Sequence, residues 1–345
     1  MLQRVCSFLV FLTFSFVSNI NLHATEAPNP WEWHAVKGTV CRDGSETGYF
    51  LKRRVFDQRV VMLLAPGGAC FNLLTCGMNP NSVGNQFPND QGMLSARDDN
   101  PVRDWNQIYV PYCSGDNFGG NRSQVAVPGL LKKQNFLGHK NMKLILESVA
   151  EVLPDMQHMV FGGMSAGGFG SILNFDEVRT RFPNVPVTLL DDSGVPLEDN
   201  FIDPCLQKRF RTTWGLDESF PAACEDCRPA NGGGLVNLVR YIREQHSDNQ
   251  QGVIMSKEDS VLRFFFGYSK NSCQTLFPGI PGSVYAAGVE SLRQNLFQGS
   301  VKSFIVPGSQ HTFVNSSSFF TTTVDGQTLA SWVEDLILNR AESRH

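Results

Sequence analysis

The chain has 345 residues, 41% of them hydrophobic and 18% charged, with a formal net charge of −4. That length can bury one large core or two modest ones, and the composition excludes a disordered chain. The absence of a basic surplus removes the electrostatic footprint expected of a nucleic-acid partner.

In chain order, Arg4, the uncharged apolar run Phe8 to Val17 and the small Ala24 and Ala27 read as an export signal over residues 1–24. The run is shorter than the ~20 residues of a membrane span. No second such run follows, so no span is expected in the mature chain. Gly38 to Arg53 alternates like a hairpin around Asp43-Gly44-Ser45. Arg59 to Leu64 (RVVMLL) reads as a strand stopping at Ala65-Pro66-Gly67-Gly68. Gln107 to Tyr112 is a second strand, and Met142 to Leu153 has helical spacing. His158 to Met164 predicts a strand, Ala166 to Arg181 a helix, and Val185 to Leu190 a strand running into Asp191-Asp192. Gly252 to Met255 and Ser303 to Val306 complete the strand set, and Ala330 to Asn339 is a terminal amphipathic helix. Strands alternating with helices predict an α/β fold, a doubly wound and mostly parallel sheet. The stretch at about 196–248 breaks the rhythm and carries Gly232-Gly233-Gly234. It is expected to be a cap inserted over the sheet's C-terminal edge, within a single domain spanning 28–345.

Without Cys6, which would leave with the signal, eight cysteines remain: Cys41, Cys70, Cys76, Cys113, Cys205, Cys224, Cys227 and Cys273. An even set in an exported chain favours disulfides. Cys224-x-x-Cys227 could be half a zinc site, but no second Cys pair or His pair completes one, so a bridge is preferred. Spacing alone cannot pair eight cysteines.

Gly163-Met164-Ser165-Ala166-Gly167 fits G-x-S-x-G between a predicted strand and a predicted helix. That context makes Ser165 a candidate nucleophile on a strained elbow, with helix-terminal N–H groups facing developing negative charge. A hydroxyl nucleophile needs a base, and the base an orienting acid. Of the later histidines, His345 ends the chain and His246 lies in the insertion. His311, in the loop after Ser303 to Val306, is where the base is expected. Asp259 and Glu258 follow the preceding strand, with Asp259 preferred, and Asp192 is the rival one strand earlier. Gly67-Gly68-Ala69 ends an early strand as an oxyanion turn would. It offers the N–H groups of Gly68 and Ala69 beside that of Ala166.

These blocks together resemble the pectin acetylesterase and Notum carboxylesterase family. Cys41-Arg42-Asp43-Gly44-Ser45 with Tyr49 is similar to its C-x-D-G-S…Y opening, and Gly67-Gly68-Ala69-Cys70-Phe71-Asn72 to its G-G-W-C-W-N loop. Gly92-Met93-Leu94-Ser95, Asn100-Pro101, Trp105-Asn106 and Tyr112 to Phe118 resemble its G-I-L-S…N-P…W-N…Y-C-D-G-x-S-F block. Gly163 to Gly168 resembles its G-x-S-A-G-G elbow. The resemblance implies an α/β-hydrolase-like fold, a triad of Ser165, Asp259 and His311, oxyanion donors at Gly68, Ala69 and Ala166, and no metal or organic cofactor. Ala69 stands where the family has tryptophan and Ser114 where it has aspartate. The smaller Ala69 is expected to open the pocket wall. Cys41 and Cys113, both in blocks shared with the family, are expected to pair.

The implied reaction is hydrolysis of a carboxylic ester, with an acetylated polysaccharide such as pectin as the expected substrate. A polyester or lipid-acyl esterase with some of the 26 phenylalanines lining its pocket is one alternative. A non-catalytic binding protein on the same scaffold is another.

Overall fold

The structure, a computed structural model, describes residues 30–345, so the expected export signal lies outside the described residues. Eight strands form the central sheet: β1 (Glu32–Ala35), β2 (Gly48–Lys52), β3 (Arg59–Leu64), β4 (Asn106–Val110), β5 (His158–Met164), β6 (Val187–Asp192), β7 (Gln251–Ser256) and β8 (Val301–Val306). Their spatial order is β1-β2-β4-β3-β5-β6-β7-β8. The pairs β1–β2 and β2–β4 are antiparallel, and every pair from β4 to β8 is parallel. This is the α/β-hydrolase-like fold anticipated above.

The central strands are apolar along their whole length because both faces are covered. Val60 to Leu64 and Met159 to Phe161 are almost wholly buried. Helices Gly138–Val152, Ala166–Leu173 and Leu329–Ile337 are among those that flank the sheet. Parallel pairing puts the C-terminal ends of β3, β5, β6, β7 and β8 at one edge, where an open α/β sheet presents its ligand crevice. Gly67 and Gly68, Ser165, Asp192, Asp259 and His311 all follow or end those strands.

Two expectations need correcting. The hairpin at 38–53 is instead a pair of short strands, β1 and β2, joined by a long irregular connection. That connection is held from outside: Cys41 is bridged to Cys113, and the Arg42 guanidinium donates to the carbonyls of Cys76 and Asn79. Asp43-Gly44-Ser45 forms only a local turn, with Asp43 accepting the Ser45 N–H. The helix at 166–181 is broken at Asn174 into Ala166–Leu173 and Phe175–Arg181. Asn174 is fully buried and spends its amide on the carbonyls of Phe118 and Gly170, the local bonding that makes asparagine a poor helix interior.

All eight cysteines are bridged, as Cys41–Cys113, Cys70–Cys76, Cys205–Cys273 and Cys224–Cys227. The segment 196–248 holds helices Pro204–Trp214 and Val236–Gln245. The first starts on the Asp203 cap with proline at its opening position and stops at Gly215 in the left-handed region.

Candidate active site

Ser165 sits between the end of β5 and helix Ala166–Leu173 with φ 55° and ψ −116°. A non-glycine residue held there is strained, by about 1–3 kcal/mol, and persists only where its surroundings enforce it. The enforcement is close packing of the elbow against β3. A Cβ on Gly167 would lie 2.1 Å from the Leu64 carbonyl oxygen, and one on Gly163 2.2 Å from the Gly167 oxygen. The Ser165 N–H donates to the Asp192 carbonyl at 2.8 Å, tying the elbow to the end of β6.

His311 lies in the loop after β8, and its Nδ1 is 2.7 Å from Asp259 Oδ2. Asp259 is fully buried and uses its two oxygens for different tasks. Oδ1 caps helix Ser260–Lys270 by accepting the N–H groups of Val261 and Leu262, while Oδ2 holds the ring. A carboxylate on Nδ1 fixes the proton there and leaves Nε2 as the acceptor. His311 Nε2 is buried and, among the described residues, has no hydrogen-bond partner. Nε2 is therefore the ring nitrogen left to act as base.

The acids left open by sequence separate clearly. Asp259 is bonded to the ring. Asp192 instead accepts the backbone N–H groups of Phe313 and Val314, at 2.6 and 2.8 Å. The Glu258 carboxylate lies against Gly282. His246 pairs with Asp176, away from these groups. Burial pushes the Asp192 carboxyl up to about 6 and that of Asp191 well above the usual range.

The Gly67-Gly68-Ala69 turn is fixed from its outer side. Asn79 Nδ2 donates to the Gly67 carbonyl at 2.7 Å, and the Tyr112 hydroxyl to the Gly68 carbonyl at 2.9 Å. Each trans peptide then points its N–H the opposite way. Those are the N–H groups of Gly68 and Ala69, which make no hydrogen bond among the described residues. Gly68 has φ +75°, open to glycine without strain. Cys70 is anchored by its bridge to Cys76, by its N–H on the Gly115 carbonyl and by Trp214 Nε1 on its own carbonyl. The positioning roles of Asn79 and Trp214 were not read from sequence, because their partners lie 12 and 144 residues away.

Ser165, Gly68, Ala69 and Ala166 line one small cavity, closed by Phe210, Phe265 and Phe266 among others. Its volume is about 20 Å³, little more than one water needs. Phe265 lies close over the turn: a Cβ on Gly68 would stand 3.1 Å from its ring. Phe169, Phe210 and Asn117 also line a second apolar cavity of about 30 Å³, bounded by Trp214 and Leu238. Among the described residues no cluster of His, Cys, Asp or Glu could hold a metal ion.

A family model described as pectinacetylesterase matches residues 27–234. Palmitoleoyl-protein carboxylesterase notum2 of Xenopus laevis is 30% identical over 182 residues, 47% of this chain and 36% of that protein. NOTUM of Mus musculus is 28% identical over 248 residues, 66% of this chain and 44% of that protein. The chain thus spans less than half the length of these curated relatives. The structure of the Wnt deacylase Notum from Drosophila superposes with a TM-score of 0.71 at 19% identity, covering 91% of this chain and 96% of that one. At that identity the likeness concerns the fold.

Proposed function

The chain belongs to the pectinacetylesterase family, and from that premise we propose that it is an exported serine carboxylesterase with Ser165 as nucleophile, His311 as base and Asp259 as orienting acid. The observation that carries this reading is the 2.7 Å bond from His311 Nδ1 to buried Asp259, which leaves Nε2 to act as base at the sheet edge that also holds the strained Ser165. In the proposed reaction His311 Nε2 takes the Ser165 hydroxyl proton as Oγ attacks the ester carbonyl. The oxyanion meets the N–H groups of Gly68, Ala69 and Ala166. His311 returns the proton to the leaving alcohol, and water repeats the sequence on the acyl-enzyme.

We infer that the acyl group is short, acetyl being the best fit, and that the alcohol side is a polysaccharide. A cavity of about 20 Å³ walled by phenylalanines supports the first inference. The polysaccharide follows from the family's name. The second apolar cavity behind Phe169 and Phe210 favours a longer acyl chain, provided those rings move. In this reading the segment 196–248 acts as a cap, since its Phe210 helps to close the cavity over Ser165. Four disulfides support an oxidising compartment, and among the described residues no helix is long and apolar enough to cross a membrane.

The test is p-nitrophenyl acetate hydrolysis beside a Ser165→Ala variant, with butyrate and octanoate esters in parallel. Turnover should fall at least about 10³-fold in the variant, and kcat/KM should fall with chain length. Equal rates in both proteins would exclude Ser165. A preference for octanoate would replace acetyl with the longer chain.

A further inference from the structure

Asp192 ends β6 and is fully buried, yet the proposed reaction gives it no part. It touches both halves of the proposed machinery. Its carbonyl accepts the Ser165 N–H at 2.8 Å. Its Oδ2 accepts the N–H groups of Phe313 and Val314 at 2.6 and 2.8 Å, two and three residues beyond His311. Its Oδ1 is 3.0 Å from the Ser193 hydroxyl, which in turn accepts the Thr312 N–H at 3.3 Å. Ser193 and Thr312 both have positive φ, 64° and 63°, so this loop holds a strained shape that something must enforce.

We propose that Asp192 is a positioning residue for the base, suspending the His311 loop from the strand end that also holds Ser165. The assignment rests on the triad reading above. Asp259 fixes how the ring is turned, and Asp192 fixes where its backbone stands relative to the nucleophile. Charge-assisted bonds from a buried carboxylate suit that task better than neutral ones. The groups facing it are Asp191 beside it on β6 and His311 across from it. Asp259 lies beyond the ring, and Tyr285 faces Asp259 and Asp191 from helix Gly282–Asn295. Burial pushes the Asp192 carboxyl up to about 6, so it is ionised at pH 8 and protonates as the medium becomes acid.

The experiment compares wild type, Asp192→Ala and Asp192→Asn by p-nitrophenyl acetate kinetics from pH 5 to 8.5, and by amide hydrogen exchange of the peptide holding Phe313 and Val314. At pH 8, Asp192→Ala should lower kcat by about 10- to 100-fold, the scale of a displaced catalytic group, with KM changed less than about twofold. It should also speed exchange at Phe313 and Val314. Asp192→Asn keeps one oxygen for both N–H groups. It should recover most of kcat. Unchanged kcat in the alanine variant, or an asparagine variant no better than alanine, would overturn the assignment. The exchange measurement needs no turnover. Protected amides that Asp192→Ala releases would uphold the anchor even in a protein inert toward esters, which would sink only the esterase reading. Amides already unprotected in wild type would overturn the anchor even in an active enzyme. Should the alanine variant not fold, the asparagine variant and the wild-type exchange still decide.

Discussion

A peptide bond held by its carbonyl is also aimed by it, and the Gly67-Gly68-Ala69 turn depends on that. The Tyr112 hydroxyl donates to the Gly68 carbonyl and accepts the Asn117 N–H at 2.7 Å, so one oxygen braces two loops. Tyr112→Phe should lower kcat on p-nitrophenyl acetate by about tenfold. That is less than the 10²–10³ of losing an oxyanion donor outright, because the N–H survives and only its aim loosens. KM should hold, and stability should drop by about 1–3 kcal/mol for the buried groups left unpaired, read by urea titration. A full loss of activity with unchanged stability would contradict this bracing role.

The elbow shows what one atom can cost an element. Gly167→Ala would drive a Cβ to within 2.1 Å of a backbone oxygen in β3, which cannot swing aside as a flexible side chain would. The variant should lose more than about 4 kcal/mol or fail to fold, with thermal melting as the measure. Melting within a degree or two of wild type would mean the helix can step away from β3. The sequence made this element legible because its glycines, serine and flanking apolar run are contiguous. β3 and β5 have the predicted bounds for the same reason, since dense apolar runs bounded by turns admit few readings. Legibility failed where the deciding partner is distant. Asn174 breaks its helix through a bond to Phe118, 56 residues back, and the loop after β1 is shaped by a bridge to Cys113. Asp259 is intermediate: an acid just before a helix reads as a cap, but its second oxygen meets a residue 52 positions away.

Across the molecule, three buried carboxyl groups among the described residues hold their protons too long. Asp116 and Asp192 are raised to about 6 and Asp191 well beyond the usual carboxylate range, in each case chiefly by desolvation. Between the unfolded value of 3.8 and the folded value near 6, the native state binds more protons than the unfolded chain. The stability these carboxyls contribute therefore falls as pH rises through about 4 to 6, by up to about 3 kcal/mol for each of Asp116 and Asp192. Glu290, held down at about 2 by Arg293, acts in the opposite sense below pH 4.5, but it is exposed and its weight is small. Buried His139 and half-buried His158, whose pKa values burial lowers, pull the opposite way over this range, so the test is a difference between proteins. Relative to wild type, Asp116→Asn should melt higher at pH 7 than at pH 5, and an equal shift at both pH values would contradict the burial argument for Asp116.

Trp214 gives the folded protein an optical handle. Its indole stacks on Phe210 at 4.3 Å, donates to the Cys70 carbonyl and lies 1% exposed, so one chromophore joins the 196–248 segment to the turn beside Ser165. Any acyl group that moves Phe210 must change the field around that ring. Tryptophan emission should shift when a fluorophosphonate with a long alkyl tail occupies Ser165 and stay put with a methyl one. In a Trp214→Phe variant the remaining four tryptophans should report neither.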